Sequence, residues 1–589
     1  MSEAIFSIAI IIIMFALLIT DTYEPVIIYF ATLTVLITAG VITVEEALVG
    51  FTNEGMLTIA ALFIIVGAVQ KSGTIFNFVN RLFGKNTGGR KSQLKVMVPV
   101  TLLSAFINNT PIVAMFIPLV RNWALEHNVS PSKYLIPLSY ASIFGGLLTL
   151  VGTSTNLIVS GLLEQYGEKG LGMFEITYIG LPLAVAGIFY LMNVGYKLLP
   201  DNEDLLESVK KRHREYLVEM TVQPHCKIIG KSVEKAGLRN LKGLFLVEII
   251  RQGQSIAPVT PTEKIQSGDR LIFTGQVSTI VQLQSIDGLK LETSSDAYLD
   301  RFKNGQAQIV EAVVSESFPF LGKTIKESSF RSRYDAAVVA VLRNGERIRD
   351  KIGNIKLRPG DTLLLLTGKS FINLWGASKD FYLISKVQDY EPHNGKGNLA
   401  VIAFGAMILL ATSNVLPLLH AAFLAVAVLL LSKSITLKEA RKAVNWNALF
   451  IIALSLGIGN ALTESGAADL IANALVSLMQ GFGPLGLLFA IYLLTNILTE
   501  IIGHSAAAVM VFPVAHSGAM QMGIDPRPLA IAVAVAASAS FATPVGYQTN
   551  LMVYGPGGYK FKDFLRVGLP LNLLFMVISV AVIPYIWPF

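Results

Sequence analysis

The chain has 589 residues, 53% of them hydrophobic and only 15% charged, with a formal net charge of +7. A soluble protein of this length carries about a quarter charged residues, so a wholly soluble enzyme is excluded. Cys226 is the single cysteine, which excludes an internal disulfide framework and a thiolate metal site.

Charges crowd between about Asp201 and Lys396 and are sparse elsewhere. The pattern is that of an α-helical polytopic membrane protein in the lipid bilayer with a soluble insert. Its positive surplus reads as loop bias rather than nucleic-acid affinity. Met1-Ser2-Glu3 offers no basic n-region, so the first apolar run reads as a retained span and not a signal peptide. Runs suited to crossing roughly 30 Å of hydrocarbon lie at 5–19, 26–44, 56–69, 134–163 and 174–199.

Between the third and fourth runs lies 96–120, interrupted by Asn108-Asn109-Thr110-Pro111. Each arm has about a dozen residues, or about 18 Å of helix, too short to cross. A re-entrant hairpin over 94–120 fits better than two spans. Two amides and a hydroxyl in such a segment cost several kcal/mol unless they have partners or a task. Thr110-Pro111 also reads as an N-cap followed by Pro at the first helical position. The bland alternative is a polar kink buried between helices.

Lys71, Arg81, Lys85, Arg90, Lys91 and Lys95 precede the hairpin, Arg121 and Lys133 follow it, and Lys197, Lys210, Lys211 and Arg212 follow the fifth span. Glu45, Glu46 and Glu54 lie in the opposite loop, with Asp21 and Glu24 weakly against the trend. Positive-inside bias then puts the hairpin mouth and central block in the cytoplasm of a cell with this protein in its inner (plasma) membrane, and both termini outside.

The second half repeats the plan, with spans at 399–415, 418–431, 448–462, 529–553 and 565–586 and a broken segment at 483–515. Lys433, Lys438, Arg441, Lys442, Lys560, Lys562 and Arg566 fall on the inner side, and Glu464 and Asp469 on the outer. Five spans per half is an odd number, so the halves (1–200 and 397–589) are expected to be inverted relative to each other. Ala61-Leu62-Phe63-Ile64-Ile65 recurs as Ala448-Leu449-Phe450-Ile451-Ile452. Gly152-Thr153-Ser154-Thr155-Asn156-Leu157 recurs as Gly546-Tyr547-Gln548-Thr549-Asn550-Leu551. The first hairpin tip recurs as Thr499-Glu500-Ile501-Ile502-Gly503-His504-Ser505. Two polar breaks matching in order and offset are not chance.

The central block is doubled too: Gly230-Lys231-Ser232-Val233 matches Gly322-Lys323-Thr324-Ile325, Arg251-Gln252-Gly253 matches Arg343-Asn344-Gly345, and Ser267-Gly268-Asp269 matches Pro359-Gly360-Asp361. Short β-rich runs between turns predict two small α/β domains, at 205–300 and 301–390.

Inverted repeats with broken elements place a site near the bilayer midplane. Four helix starts are expected there: after Asn109/Thr110, Thr155/Asn156, His504/Ser505 and Thr549/Asn550. Each offers unpaired N–H groups and small polar side chains, which suits a small anion. Candidate anion-binding residues are Asn108, Asn109, Thr110, Thr153, Ser154, Thr155, Asn156, Gly503, His504, Ser505, Gln548, Thr549 and Asn550. Ser104, the Asn109 amide oxygen and the Gly152 carbonyl are oxygen ligands a sodium ion would want, with Thr499 and Gly546 as counterparts. A co-bound cation offsets the anion's charge at low dielectric. Glu500 reads either as a cation ligand or proton relay, or as a carboxylate paired with His504 or a backbone amide. His504 stands in Asn109's position and reads either as an anion donor or as a packing histidine. Residues 84–92 mimic a phosphate loop, but Arg90 breaks the Gly-Lys-Ser order and no strand precedes it. Sequons such as Asn128-Val129-Ser130 fall on the inner side. No nucleophile–base or metal constellation marks the soluble block as an enzyme.

Taken together, Ser-Ala-Phe-Ile-Asn-Asn-Thr-Pro with Gly-Thr-Ser-Thr-Asn, and Thr-Glu…His-Ser with Gly-Tyr-Gln-Thr-Asn-Leu-Met-Val-Tyr-Gly, resemble the divalent anion/sodium symporter family. The likeness is to its sulfate-transporter-like branch, which carries cytoplasmic domains similar to TrkA C-terminal (regulator of potassium conductance) domains. The resemblance implies about ten transmembrane helices, a homodimer, an elevator-type transport domain built from both hairpins, and sodium as coupling ion. Asn109 would be the family's sodium- and substrate-binding asparagine. His504 would replace the second one and join Thr499 and Gly546 in the second sodium site. It also implies sulfate, or else a di- or tricarboxylate, as substrate. The paired domains would sense a nucleotide or ion, or serve as a cytoplasmic dimerisation module. An anion sensor that signals without transport, or an anion channel, are the rivals.

Overall fold

The computed structural model describes the chain apart from residues 1, 21–22, 72–88, 128, 203–216, 239–243, 253, 257–258, 276–285, 292–307, 316, 344–345, 349, 351, 368–370, 376–377, 379, 385–396 and 414. The basic residues at 81, 85 and 210–212, most of the phosphate-loop mimic, the 344–345 turn, Gly253 and Asn128 lie outside the described residues.

Helices dominate. Among the described residues, five are long and apolar enough to cross a membrane: Val44–Lys71, Thr177–Leu198, Trp446–Glu464, Gly483–Ile502 and Phe561–Ile586. Shorter apolar helices at Glu3–Leu18, Pro25–Thr38, Leu399–Thr412 and Leu418–Leu431 match the expected runs. Ala467–Leu478 was not anticipated; its small residues dilute the apolar signal.

The first broken segment consists of helices Arg90–Ser104 and Asn109–Glu126, and the second of Gly483–Ile502 and His504–Met522. The arms of the first have 15 and 18 residues, not about a dozen, and those of the second have 20 and 19. Hydropathy stops at the flanking charges, whereas the helical hydrogen-bond ladder continues through them. The expected spans 134–163 and 529–553 are each interrupted. The first becomes Ser132–Gly146 and Ser154–Gln165, and the second Arg527–Ser538 and Gln548–Tyr554.

All four tip helices start about two residues earlier than expected. The helix expected to follow Asn109/Thr110 begins at Asn109, with the Asn108 side chain accepting from the Thr110 amide at 3.4 Å. Asn108 therefore takes the capping role assigned to Thr110. The other starts are Ser154, His504 and Gln548.

The two halves share local devices. Thr43 and Glu46 form a capping box, as do Thr436 and Glu439. Asn53 Oδ1 caps the Met56 amide at 3.2 Å, and Asn445 Oδ1 caps Ala448 at 3.3 Å. Each box satisfies otherwise orphaned helix-end donors. Glu439 also pairs with Lys71 at 2.8 Å, tying the two halves together. The Lys71 ammonium, then the Thr436 amide, hold the Glu439 carboxyl down at about 2, from 4.5. A depressed carboxyl stabilises the fold above its unfolded pKa and loses that contribution as pH falls through the folded value. The pair is partly exposed, so Glu439→Gln should cost under about 1 kcal/mol. Melting curves should separate the variant from the parent between pH 8 and 5, and converge as pH drops from 4.5 toward 2.

The central block forms two five-stranded antiparallel sheets. Their strand orders match once the second is read in reverse. The first runs over Leu217–Val222, Leu244–Arg251, Gln254–Ile256, Arg270–Gly275 and Leu289–Leu291; the second over Gln308–Val314, Ala336–Arg343, Glu346–Arg347, Thr362–Thr367 and Phe381–Ile384. Arg251 forks onto Asp269 with both contacts at 2.9 Å and reaches the Lys264 carbonyl at 2.7 Å. Arg343 repeats this on Asp361, both at 2.7 Å, and on the Lys356 carbonyl at 2.6 Å. The matched Arg–Asp motifs thus hold turns.

The sheets differ in one respect. Glu219 of the first pairs with Arg270 of its own sheet. In the second, Glu311 occupies the equivalent place and Thr362 stands where Arg270 would be. Glu311 instead meets Arg121, beyond the first hairpin tip, at 2.5 Å, and both side chains are almost fully buried. Val313 is buried within the membrane-helix core rather than the sheet's own. A Cβ at Gly360 would lie 2.6 Å from Leu551 Cδ1, and one at Gly555 would collide with Thr362 Oγ1. At the equivalent Gly268 of the first sheet a Cβ would meet nothing within 4 Å. The second sheet is therefore packed onto the first hairpin and the helix Gln548–Tyr554.

Candidate functional site

The four tips meet crosswise. The second arm of the first hairpin packs on Gln548–Tyr554, and the second arm of the second hairpin packs on Ser154–Gln165. Asn109 Nδ2 donates to the Tyr547 hydroxyl at 2.7 Å, and Thr110 Oγ1 to Gln548 Oε1 at 2.9 Å. On the other diagonal, Ser154 Oγ lies 3.3 Å from both His504 Nε2 and Ser505 Oγ.

The predicted anion-binding residues divide by exposure. Asn108, Thr110, Ser154, Gly503, His504, Ser505 and Gln548 are partly open, whereas Asn109, Thr153, Thr155, Asn156, Thr549 and Asn550 are buried. The two inner asparagines have matching tasks. Asn156 Nδ2 donates to the Gly146 and Thr149 carbonyls at 3.0 and 2.9 Å. Asn550 Nδ2 donates to the Ser540 and Thr543 carbonyls at 3.0 and 3.1 Å. Each closes the unwound loop before its helix, satisfying carbonyls the helix has abandoned. Thr549 accepts from Ser139. The partly open residues are those at the starts of the four tip helices. A cleft lined by Ile59, Phe63, Val66 and Phe106 reaches Asn108 and Ser154.

Oxygen donors gather beside the first tip. Ser104 Oγ donates to Asn109 Oδ1 at 2.5 Å. A Cβ at Gly152 would lie 2.7 Å from the Gly146 carbonyl and 3.1 Å from that of Ala105. This hard, neutral oxygen set fits an alkali cation better than a transition metal. The second tip differs. Thr499 Oγ1 donates back to the Thr495 carbonyl, His504 offers nitrogen, and Gly546 sits against Ser540 Oγ, Glu500 Oε2 and Thr543 Oγ1.

Glu500 is fully engaged as an acceptor: Ala542 N at 2.9 Å, Thr543 N at 3.0 Å, Thr543 Oγ1 at 2.7 Å and Asn572 Nδ2 at 2.9 Å. Of its two readings, the structure places the carboxylate on backbone amides.

Tyr547 is the residue that sequence reasoning passed over. Only 4% exposed, it bonds Asn109 and lies 3.2 Å from Thr153 Oγ1. Its ring stacks on His504 with centroids 4.7 Å apart and planes 22° off parallel. The available signal was its alignment with Thr153 in the repeated hexapeptide.

The chain matches a citrate transporter family model (CitMHS) over residues 15–536. It is 36% identical to a Chlamydomonas reinhardtii protein provisionally named a sulfur deprivation response regulator, over 94% of this chain and 96% of that one. It is 31% identical to an uncharacterized transporter of Synechocystis, covering 92% and 90%. To sodium/sulfate cotransporter 1 of Chlamydomonas reinhardtii it is 25% identical, covering 92% and 85%.

Proposed function

We propose, from the premise that this chain belongs to the citrate transporter (CitMHS) family, that it is a sodium-coupled symporter of sulfate. In this reading it is a carrier and not an enzyme, and its halves are inverted repeats whose hairpins and broken helices move together as an elevator-type unit within a homodimer. The observation that carries the reading is the convergence of the tip-helix starts on Asn108, Thr110, Ser154, His504, Ser505 and Gln548, whose amides, hydroxyls and imidazole bond one another crosswise. Oriented amides and hydroxyls bind an anion without holding it as tightly as a fixed cation would.

Sodium would sit first among Ser104, Asn109 and Gly152, where its charge offsets the anion's. Thr499, His504 and Gly546 would frame a second and less regular site. The paired sheets, which resemble TrkA C-terminal domains, would regulate the carrier through a nucleotide or ion. The sulfate assignment draws on the sodium/sulfate cotransporter relative.

In proteoliposomes, an inward sodium gradient should drive uptake of labelled sulfate, and Asn109→Ala should reduce it to background. Uptake unaffected by sodium would sink the coupling. Two other readings have support of their own. The family description favours a di- or tricarboxylate, and excess unlabelled citrate or succinate abolishing sulfate uptake would select that. The relative named for sulfur deprivation favours a sensor, and saturable sulfate binding with no uptake would select that.

A further inference from the structure

We infer that Tyr547 determines which anions fit the site, admitting a compact tetrahedral oxyanion and rejecting longer dicarboxylates. The inference rests on the anion-binding reading above. Tyr547 and Thr153 occupy equivalent places, each the residue just before its broken helix begins. Where one half places a threonine, the other places a phenol. That phenol touches elements from both halves, through Asn109 and Thr153 on one side and His504 on the other.

The bonding geometry gives the phenol two roles. Asn109 Nδ2 donates to its oxygen at 2.7 Å, so the phenol hydrogen remains available for Thr153 or for an anion. The oxygen also occupies an amide donor that a larger ligand would need. A tetrahedral oxyanion is compact and presents acceptors on every side. A dicarboxylate presents two acceptor groups with a carbon chain between them, and needs two donor clusters with open space between. Partly open polar groups lie at Asn108/Thr110 and at His504/Ser505, and Tyr547, bonded to Asn109 at one end and stacked on His504 by its ring, reaches from one to the other. Its stacking on the His504 imidazole holds it there.

The test is binding of sulfate and of succinate to the purified full-length protein in detergent with sodium chloride, for the parent, Tyr547→Phe and Tyr547→Thr. The parent should prefer sulfate. Tyr547→Phe keeps the ring and loses the donor, so sulfate should weaken about 10-fold or more with no gain for succinate. Tyr547→Thr copies the other half and opens the centre, so the sulfate-to-succinate ratio should fall at least about 10-fold. A parent that prefers succinate overturns the inference, as does an unchanged ratio in Tyr547→Thr at an unchanged melting temperature. Loss of folding in Tyr547→Thr leaves Tyr547→Phe to decide, and unweakened sulfate binding there overturns it. Transport is not needed for this readout. Sulfate-selective binding without uptake would defeat the symport reading and leave the role of Tyr547 standing.

Discussion

Glu311→Ala is expected to detach the second sheet from the membrane helices, at a cost of about 3–5 kcal/mol. That is the usual penalty for removing one partner of a buried ion pair and leaving the other charge in low dielectric. Both side chains are at most 3% exposed, so water cannot reach in to compensate without opening the interface. The neighbouring contacts break with it, because Val313, Gly360 and Thr362 lie on the same face of the sheet against Leu551 and Gly555. Limited proteolysis and hydrogen exchange should show residues 308–314 and 362–367 losing protection together. Replacing both charges, as Arg121→Leu with Glu311→Leu, should recover most of the loss, since a well-packed apolar pair is often neutral or better at such sites. The internal control is Glu219→Ala in the first sheet. Its partner Arg270 is 33% exposed, and the cost there should stay under about 1 kcal/mol. Equal effects at 219 and 311 would mean that the second sheet is not fastened to the hairpin.

The same pair illustrates what the sequence could and could not reveal. Two related domains were legible from repeated Gly-Lys, Arg-x-Gly and Gly-Asp turns, because turn chemistry is local. The handover of Glu311 from its own sheet to Arg121 joins residues 190 apart, and no local pattern encodes it. The polar breaks were legible because amides in an apolar run are costly anywhere. Their detailed roles were not. Asn156 and Asn550 look like ligand donors in the sequence, but each bonds two carbonyls of its own loop. The helices accordingly start earlier, and the residues facing outward become Ser154 and Gln548. Tyr547 was hidden for a different reason. An aromatic residue among apolar neighbours reads as core, and its hydroxyl's partners come from distant segments.

Glu500→Gln should destabilise the fold although it keeps the shape of the side chain, and this separates the two roles the sequence left open. A carboxylate is acceptor-only, and its four neighbours here are all donors: two backbone amides, the Thr543 hydroxyl and the Asn572 amide. The hydroxyl can reverse, because Thr543 Oγ1 keeps a second lone pair beside the one that accepts from the Gly546 amide at 3.0 Å, and its hydrogen can turn to the Glu500 carbonyl at 3.4 Å. A glutamine of the same shape must turn its NH2 toward one pair of donors, so at least one N–H beside it loses its acceptor. At about 1–3 kcal/mol for such a group, the loss is about 1–3 kcal/mol. It falls on the loop that presents Gly546 and Tyr547 to the site. Melting temperature and sulfate uptake should therefore fall together in Glu500→Gln. A cation ligand or proton relay would behave otherwise, with melting preserved and the sodium or pH dependence of uptake shifted. A normal melting curve with altered sodium dependence would move Glu500 from the scaffold of the site into its ion chemistry.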